Sequence, residues 1–257
     1  MNNIVLINKP LSLTPLQTIR KLQKLKSEYA RQKIGYAGRL DPMAEGLLLL
    51  LVGDENKKRK EYERLDKEYE FEVLLGCETD SYDILGLVQS IHNTTKHIGD
   101  NNFTIQQLLQ QFIGTSEQPY PPYSAARVNG KPLYYWAREG RLDEIKIPSK
   151  QITISKIELL KITQVQFSDI YEEIIQRVQS VEGTFRQEEI VAKWNKTIQQ
   201  YNNLTMKQLS CTISCSSGTY VRSIAHSIGK KLKAGGIALS IKRTKIGSYT
   251  FQDALRL

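Results

Sequence analysis

Gly35-Tyr36-Ala37-Gly38-Arg39-Leu40-Asp41-Pro42 is bracketed by glycines, and after four more residues Leu47-Leu48-Leu49-Leu50-Leu51-Val52 is unbroken hydrocarbon. The first segment reads as a loop, because glycine admits turns that other residues resist and proline cannot continue a ladder. The second reads as a strand buried on both faces, since a half-exposed strand would alternate apolar with polar. A loop rooted in a buried strand can hold a side chain rigidly, and Asp41 occupies it. Taken alone, an Asp before Pro is also an ordinary cap for a turn, so the residues leave both roles open.

Upstream, residues 4–7 read as a short strand ended by Pro10. Thr14-Pro15-Leu16-Gln17 combines an N-cap, a proline at the first helical position and a capping-box glutamine, which predicts a helix start. Leu16, Ile19, Leu22 and Leu25 are its expected inner face, leaving Arg20, Lys21, Lys24 and Lys26 outward.

Downstream, residues 57–60 are four consecutive cations, residues 69–75 alternate as a strand, and Thr104-x-x-Gln107 predicts a helix to about Phe112. Prolines extend residues 119–123, and Arg138-Glu139-Gly140 reads as a helix stop. Residues 152–162 and 209–215 alternate as strands; between them, Asp169-x-x-Glu172 and Thr184-x-x-Gln187 predict a two-helix insertion at about 169–201. A last helix opens near Arg222 and ends before Gly235-Gly236, followed by a basic strand over 241–249 carrying Lys242, Arg243 and Lys245. Strands and helices alternate without a regular βαβ rhythm, which predicts α+β rather than a doubly wound sheet.

The chain has 257 residues, 40% hydrophobic and 25% charged, enough for a sizeable core without disulfide staples. Cys77, Cys211 and Cys215 form no C-x-x-C pair, and His92, His97 and His226 are scattered, so no zinc-type site is expected. The longest apolar run is far below the roughly 20 residues needed to span a bilayer, and the N-terminus lacks a basic leader. A cytoplasmic protein is expected. The net charge of +9 favours polyanions, nucleic acid first among them. No phosphate loop, dinucleotide fingerprint or nucleophile elbow is present, which disfavours nucleotide hydrolysis and Ser-triad chemistry.

Seven blocks then carry a resemblance, in order along nearly the whole chain. They are Ile7-Asn8-Lys9-Pro10, the stretch from Gly35 to Gly46, Asp66-Lys67-Glu68-Tyr69, Thr79-Asp80-Ser81-Tyr82-Asp83, Pro122-Tyr123-Ser124-Ala125, Tyr135-Trp136-Ala137-Arg138-Glu139-Gly140 and Gly218-Thr219-Tyr220-Val221-Arg222-Ser223. Together they resemble the TruB family of pseudouridine synthases. The resemblance implies a single catalytic domain over residues 1–257, with a central mixed, mostly antiparallel sheet flanked by helices around an RNA-binding cleft. It implies isomerisation of a uridine in the T-arm loop of tRNA: the base is flipped out, detached and rejoined through carbon. No cofactor, no metal, no membrane and no obligatory protein partner are expected, and the chain is expected to be a monomer.

Position by position, Asp41 matches the family's catalytic aspartate, Tyr69 the tyrosine that stacks on the flipped base and is proposed to take its carbon-five proton, and Arg222 the arginine paired with the aspartate. A carboxylate drawn into a dry pocket stays ionised only beside a permanent cation, and a guanidinium fork can hold it bidentately. Lys9, Tyr36, Arg39, Tyr220 and Ile241 are the expected substrate-binding residues. Tyr36 stands where bacterial members usually have histidine, and Arg39 where they have a small residue; stacking and phosphate binding would preserve the loop's role. The chain stops at Leu257, so the small C-terminal RNA-binding PUA domain of many relatives is expected to be absent. The helical insertion, with Arg177, Arg186, Lys193 and Lys196 among several glutamates, is a candidate RNA grip, lid or partner surface. Phosphate contacts are otherwise expected from the basic helix, residues 57–60 and residues 242–245. The competing readings are the same chemistry on another RNA and an RNA-binding or chaperone module without catalysis.

Overall fold

The structure, a computed structural model, describes residues 3–92 and 102–257. His97 and the first two residues, on which the expectations about metal ligands and a leader partly rest, lie outside the described residues.

The chain begins with β1 (Ile4–Lys9) and α1 (Pro15–Leu25), then the hairpin β2 (Ile34–Ala37) and β3 (Ala44–Val52). Next come α2 (Arg59–Arg64), β4 (Lys67–Leu75), β5 (Cys77–Thr79) and β6 (Val88–Ile91). They are followed by α3 (Asn102–Gln110), β7 (Gly114–Pro119), β8 (Arg127–Val128), β9 (Lys131–Pro132) and α4 (Leu133–Arg138). The long strand β10 (Ser149–Gln166) leads into α5 (Phe167–Ser180) and α6 (Gln187–Tyr201), and β11 (Thr205–Cys215) returns alongside β10. Helix α7 (Val221–Lys231), β12 (Gly236–Ile246), β13 (Tyr249–Thr250) and β14 (Leu255–Arg256) complete it.

One ten-stranded sheet in the order β14-β1-β3-β12-β4-β11-β10-β7, with β2 and β13 paired at the side, organises the molecule. The β1–β14 and β3–β12 pairs are parallel and the other pairs of this sheet antiparallel, so the sheet is mixed and mostly antiparallel and the fold is α+β.

Strand β3 is buried on both sides, as its unbroken leucines require. Leu48, Leu50 and Val52 meet Ile19 and Leu22 of α1, while Leu47, Leu49 and Leu51 face Ile246, Tyr62 and Leu65. Each such leucine contributes roughly 1.5–3 kcal/mol of transfer free energy. Further along the sheet, α3 and α7 cover one face through Ile105, Leu109, Ile224 and Ile228. Helices α5 and α6 cover the other through Phe167, Ile174, Ile190 and Trp194.

The capping box of α1 forms: the Gln17 amide donates to Thr14 Oγ1 and the Thr14 amide to Gln17 Oε1. Its buried stripe is Pro15, Thr18, Ile19 and Leu22, whereas Leu16 and Leu25 are exposed. The inner face follows the 3.6-residue period from Pro15, and Leu16 falls one position off it. Residues 34–37, expected in a loop, form β2 against β3, so the loop proper is residues 38–43. Helix α3 starts before Thr104, which is therefore not its cap. Helix α5 starts two residues before Asp169, because the buried Phe167 donates its amide to the Leu204 carbonyl (2.9 Å) and packs near Trp194. Helix α6 starts at Gln187 with Arg186, not Thr184, at the N-cap. The last strand begins at Gly236 and breaks at Gly247, so the expected single strand over 241–249 is a hairpin of β12 with β13.

Candidate active site

The loop over residues 38–43 holds Asp41 by its main chain. Arg243 of β12, only 1% exposed, donates Nε to the Leu47 carbonyl (2.8 Å), Nη1 to Arg39 (3.3 Å) and Nη2 to Gly38 (3.2 Å). The Pro42 carbonyl accepts from the Ser12 amide (2.8 Å) and the Asp41 carbonyl from Ala44 (3.0 Å). At the parallel β3–β12 pair, Gly46 lies against the Arg243 backbone: a Cβ there would fall 2.3 Å from the Arg243 carbonyl oxygen, and its φ of +103° is one that L side chains rarely adopt. A side chain at position 46 would push the Arg243 anchor away from the loop.

Arg222, in the first turn of α7, meets Asp41 from the opposite wall: Nε donates to Asp41 Oδ2 at 3.1 Å. The fork is not bidentate on the carboxylate, as the sequence suggested, because Nη1 donates to the Ser81 carbonyl (2.6 Å) and Nη2 to the Tyr123 carbonyl (2.9 Å). The guanidinium is thereby fixed in plane by three chain segments. Its side chain is 3% exposed against 37% for Asp41, so the cation is buried and the carboxylate opens to the cleft. Behind Arg222 lies Asp83, which accepts from Ser81 Oγ (2.6 Å) and the Leu85 amide (3.0 Å); burial pushes its carboxyl up to about 6, opposed by the Arg222 charge. A buried guanidinium requires such compensation, and here carboxylates and carbonyls supply it.

These groups open into a cleft of about 740 Å³. Its walls carry eight Lys and Arg side chains against two carboxylates, and six tyrosines. That lining suits a polyanion whose aromatic bases can stack. Tyr69 lines it from β4, and burial raises its phenol, so the hydroxyl is protonated at neutral pH. Ile241 of β12 lines it beside Ala44, its register partner. Tyr36 lines it with Arg59 5.2 Å from its ring centroid, and Arg39 is exposed at the rim. Tyr220 lines it edge-on to Tyr120 (5.7 Å), with the Arg222 guanidinium 5.6 Å from its ring.

Lys9 is placed differently. It is fully buried, does not line the cleft, and donates Nζ to the Pro10 (2.8 Å) and Leu13 (2.6 Å) carbonyls. Burial lowers its pKa to about 7, partly offset by Asp41 and Glu45. The folded side chain thus loses its proton above about pH 7, whereas the unfolded one keeps it until about 10.5. In that window the unfolded state binds more protons, so stability rises with pH. Urea unfolding of wild type and Lys9→Met from pH 6 to 10 checks this: the difference in stability should grow in favour of wild type as pH rises. A flat difference would refute the neutralisation.

Several cleft cations bind main-chain carbonyls in a way the sequence did not suggest. Arg243, expected at phosphate with Lys242 and Lys245, instead holds the Asp41 loop; Lys67 donates to the Glu63 carbonyl (2.6 Å) and to Leu65; Lys150 donates to the Ser217 carbonyl (2.8 Å). Strict alternation would put Arg243 and Lys245 on one face, so it gave no signal for Arg243 alone; an irregularity in the β12–β4 register between Arg243 and Lys245 separates them. The other two are neutralised by cross-strand partners, Lys242 by Glu70 (3.8 Å) and Lys245 by Glu68 (3.0 Å). In the 57–60 run, Lys57, Lys58 and Arg59 pair with Asp54, Glu55 and Glu63, and only Lys60 lines the cleft. In the α5–α6 pair, Arg177 is committed to Glu173 and the Leu239 carbonyl and Arg186 to Asp80, so neither belongs to an open cationic face. Among the described residues, no three His, Cys, Asp or Glu side chains converge as metal ligands, and no helix is long and apolar enough to cross a membrane.

Among solved structures, the chain matches a Cbf5-Nop10-Gar1 complex with a TM-score of 0.61 at 17% identity, over 99% of this chain and 52% of that one. It also matches an H/ACA RNP bound to a substrate RNA containing 2'-deoxyuridine, with a TM-score of 0.57 at 15% identity, over 98% and 50%. The chain spans about half the length of these matched chains, and at such identities the likeness shows a shared fold. The model of the TruB family pseudouridylate synthase N-terminal domain matches residues 26–186. The chain is 31% identical to tRNA pseudouridine synthase B of Flavobacterium johnsoniae, over 98% of this chain and 91% of that protein. It is 31% identical to the protein of that name from Francisella tularensis, over 100% and 69%, and 30% identical to that of Syntrophomonas wolfei, over 100% and 71%. The chain belongs to the TruB family of pseudouridine synthases.

Proposed function

We propose that this chain isomerises a uridine in the T-arm loop of tRNA to pseudouridine, with Asp41 as the catalytic carboxylate acting on the ribose. The observation that carries the reading is Asp41 itself: a carboxylate held by its main chain, touched by the buried Arg222 and open to a cationic, tyrosine-lined cleft. The flipped base enters that cleft at a cost of a few kcal/mol, offset by stacking and phosphate contacts. Tyr69 stacks on the base from β4, and its protonated hydroxyl must hand its proton on before it can accept the one from carbon five. Arg222 orients Asp41, Ile241 packs the base, and Tyr36 and Arg39 meet the RNA at the rim. The reading includes a monomer working in the cytoplasm without a protein partner.

The test is a pseudouridine map of bulk tRNA and of a minimal T-arm stem-loop treated with the purified protein in EDTA. Product confined to the T-arm loop is expected. Product in another RNA would keep the chemistry and move the target, and none at all would overturn the reading.

Grip and chemistry separate in space. Arg20 and Lys24 of α1 are exposed and lie outside the cleft lining, while the 242–245 strand is largely neutralised. Each phosphate contact contributes a log–log salt slope of about −0.7 to −0.9. Arg20→Glu with Lys24→Glu should therefore weaken RNA binding and flatten that slope in filter-binding titrations, with single-turnover rates at saturating RNA unchanged. A collapse of the saturated rate in a folded protein would show that α1 shapes the site.

A further inference from the structure

We propose that Arg186, at the tip of the α5–α6 pair, is a positioning residue for Arg222: it clamps together the two backbone segments whose carbonyls fix the Arg222 guanidinium, and through it Asp41. The proposal rests on the synthase reading above and assigns a role to the helical pair, which that reading leaves without one.

The carbonyls that receive Arg222 Nη1 and Nη2 belong to Ser81 and Tyr123, and both residues lie outside helices and strands. Regular hydrogen-bond ladders do not hold them in place. Arg186 reaches the neighbour of one and the side chain of the other. Its Nη1 donates to Asp80 Oδ2 at 2.9 Å and its Nη2 to Asp80 Oδ1 at 3.2 Å, a two-pronged pair one residue before Ser81. Its guanidinium carbon lies 4.2 Å from the centre of the Tyr123 ring, and the Tyr123 hydroxyl donates to Asp80 Oδ2 at 3.0 Å. Asp80, Arg186 and Tyr123 thus close a triangle directly behind the two acceptors of Arg222.

An exposed ion pair would contribute little, because solvent screens it. This one is largely enclosed, with Arg186 16% and Asp80 21% exposed, and it combines a forked pair with stacking, which are the strong uses of arginine. The backbone points the same way. Arg186 sits at φ +63°, a left-handed conformation that is uncommon for a residue with a side chain and persists where the surroundings enforce it. Those surroundings are specific: Arg138 Nη2 donates to the Thr184 carbonyl (3.1 Å), Gln17 Nε2 to the Glu182 carbonyl (3.2 Å), and the Glu182 amide to the Ser12 carbonyl (3.3 Å). The tip is fastened to α1 on one side and α4 on the other, and Phe185 completes the cleft wall between them.

The experiment compares wild type, Arg186→Ala, Arg186→Lys and Asn195→Ala in single-turnover assays at saturating RNA, alongside RNA affinity, melting midpoint and amide hydrogen exchange. Arg186→Ala should lose about tenfold to a hundredfold in rate, the scale of a displaced catalytic group, with affinity retained. Arg186→Lys should recover part of the loss, since an ammonium keeps the charge opposite Asp80 without the fork or the stacked plane. Asn195→Ala removes only the Tyr171–Asn195 bond between α5 and α6 and should keep wild-type activity. In Arg186→Ala, exchange should accelerate at the Leu87 amide, which donates to Asp80 Oδ1, and at the Tyr134 amide, which donates to the Ser124 carbonyl. A wild-type rate in Arg186→Ala would overturn the clamp, as would a loss that merely tracks the melting midpoint without rescue by lysine. An inactive wild-type protein would overturn the synthase reading instead, and the exchange rates would then judge the clamp alone: unchanged exchange at those two amides would refute it.

Discussion

An Asp41→Asn protein is expected to form no detectable pseudouridine while binding RNA at least as well as wild type. The change is nearly isosteric, and an asparagine oxygen can still accept from Arg222 Nε, so the loop bonds to Arg243, Ser12 and Ala44 persist. What disappears is the negative charge and with it the ability to attack or deprotonate the ribose. Loss of an essential nucleophile or base costs roughly a thousandfold or more. Affinity should hold, because removing a carboxylate from a cationic cleft takes away a repulsion toward phosphate. Single-turnover assays with parallel binding titrations separate the two. Substantial product from the mutant would remove Asp41 from the chemistry.

Arg222→Lys should come next in severity. The guanidinium serves three acceptors on three segments at once: Asp41 Oδ2, the Ser81 carbonyl and the Tyr123 carbonyl. One ammonium on a flexible stem cannot reproduce that plane, so at least one buried acceptor is left unpaired at about 1–3 kcal/mol. Misplacement of the carboxylate should add a rate loss of about a hundredfold, far larger than any change in RNA affinity. Turnover at the wild-type rate would show that Arg222 does not orient Asp41.

Much of this was legible in the sequence, and the reasons differ by residue. The unbroken leucines of β3 fixed a doubly buried strand, and Thr14 with Gln17 fixed the start of α1, because both signals are local. Asp41, Tyr69 and Arg222 were named together from motif blocks, and the fold brings all three to one cleft. Arg243 escaped because the three cations of this strand were expected together at phosphate, whereas a register irregularity after Arg243 lets Lys242 and Lys245 reach Glu70 and Glu68 while Arg243 turns to the loop. Lys9 was expected at the substrate and instead supports the chain beneath it, a distinction that depends on which face of β1 meets α1. Arg186 was named only as one cation of a candidate RNA grip, lid or partner surface, because its partner Asp80 lies 106 positions away in sequence and a left-handed N-cap has no local signature.

The order of strands in the sheet has a consequence for synthesis. Strands β3 and β4, close in sequence, are separated in space by β12, which pairs with both. The Asp41 loop and Tyr69 therefore leave the ribosome early but have no common neighbour until Arg243 follows them out. Until then β4 and the first residues of β3 present unpaired edges, the kind of exposure that invites wrong pairing and that long-range closure relieves only slowly. Chain growth delivers the parts of the catalytic centre well before it can join them, and a nascent chain carrying all three motif residues is still without a site.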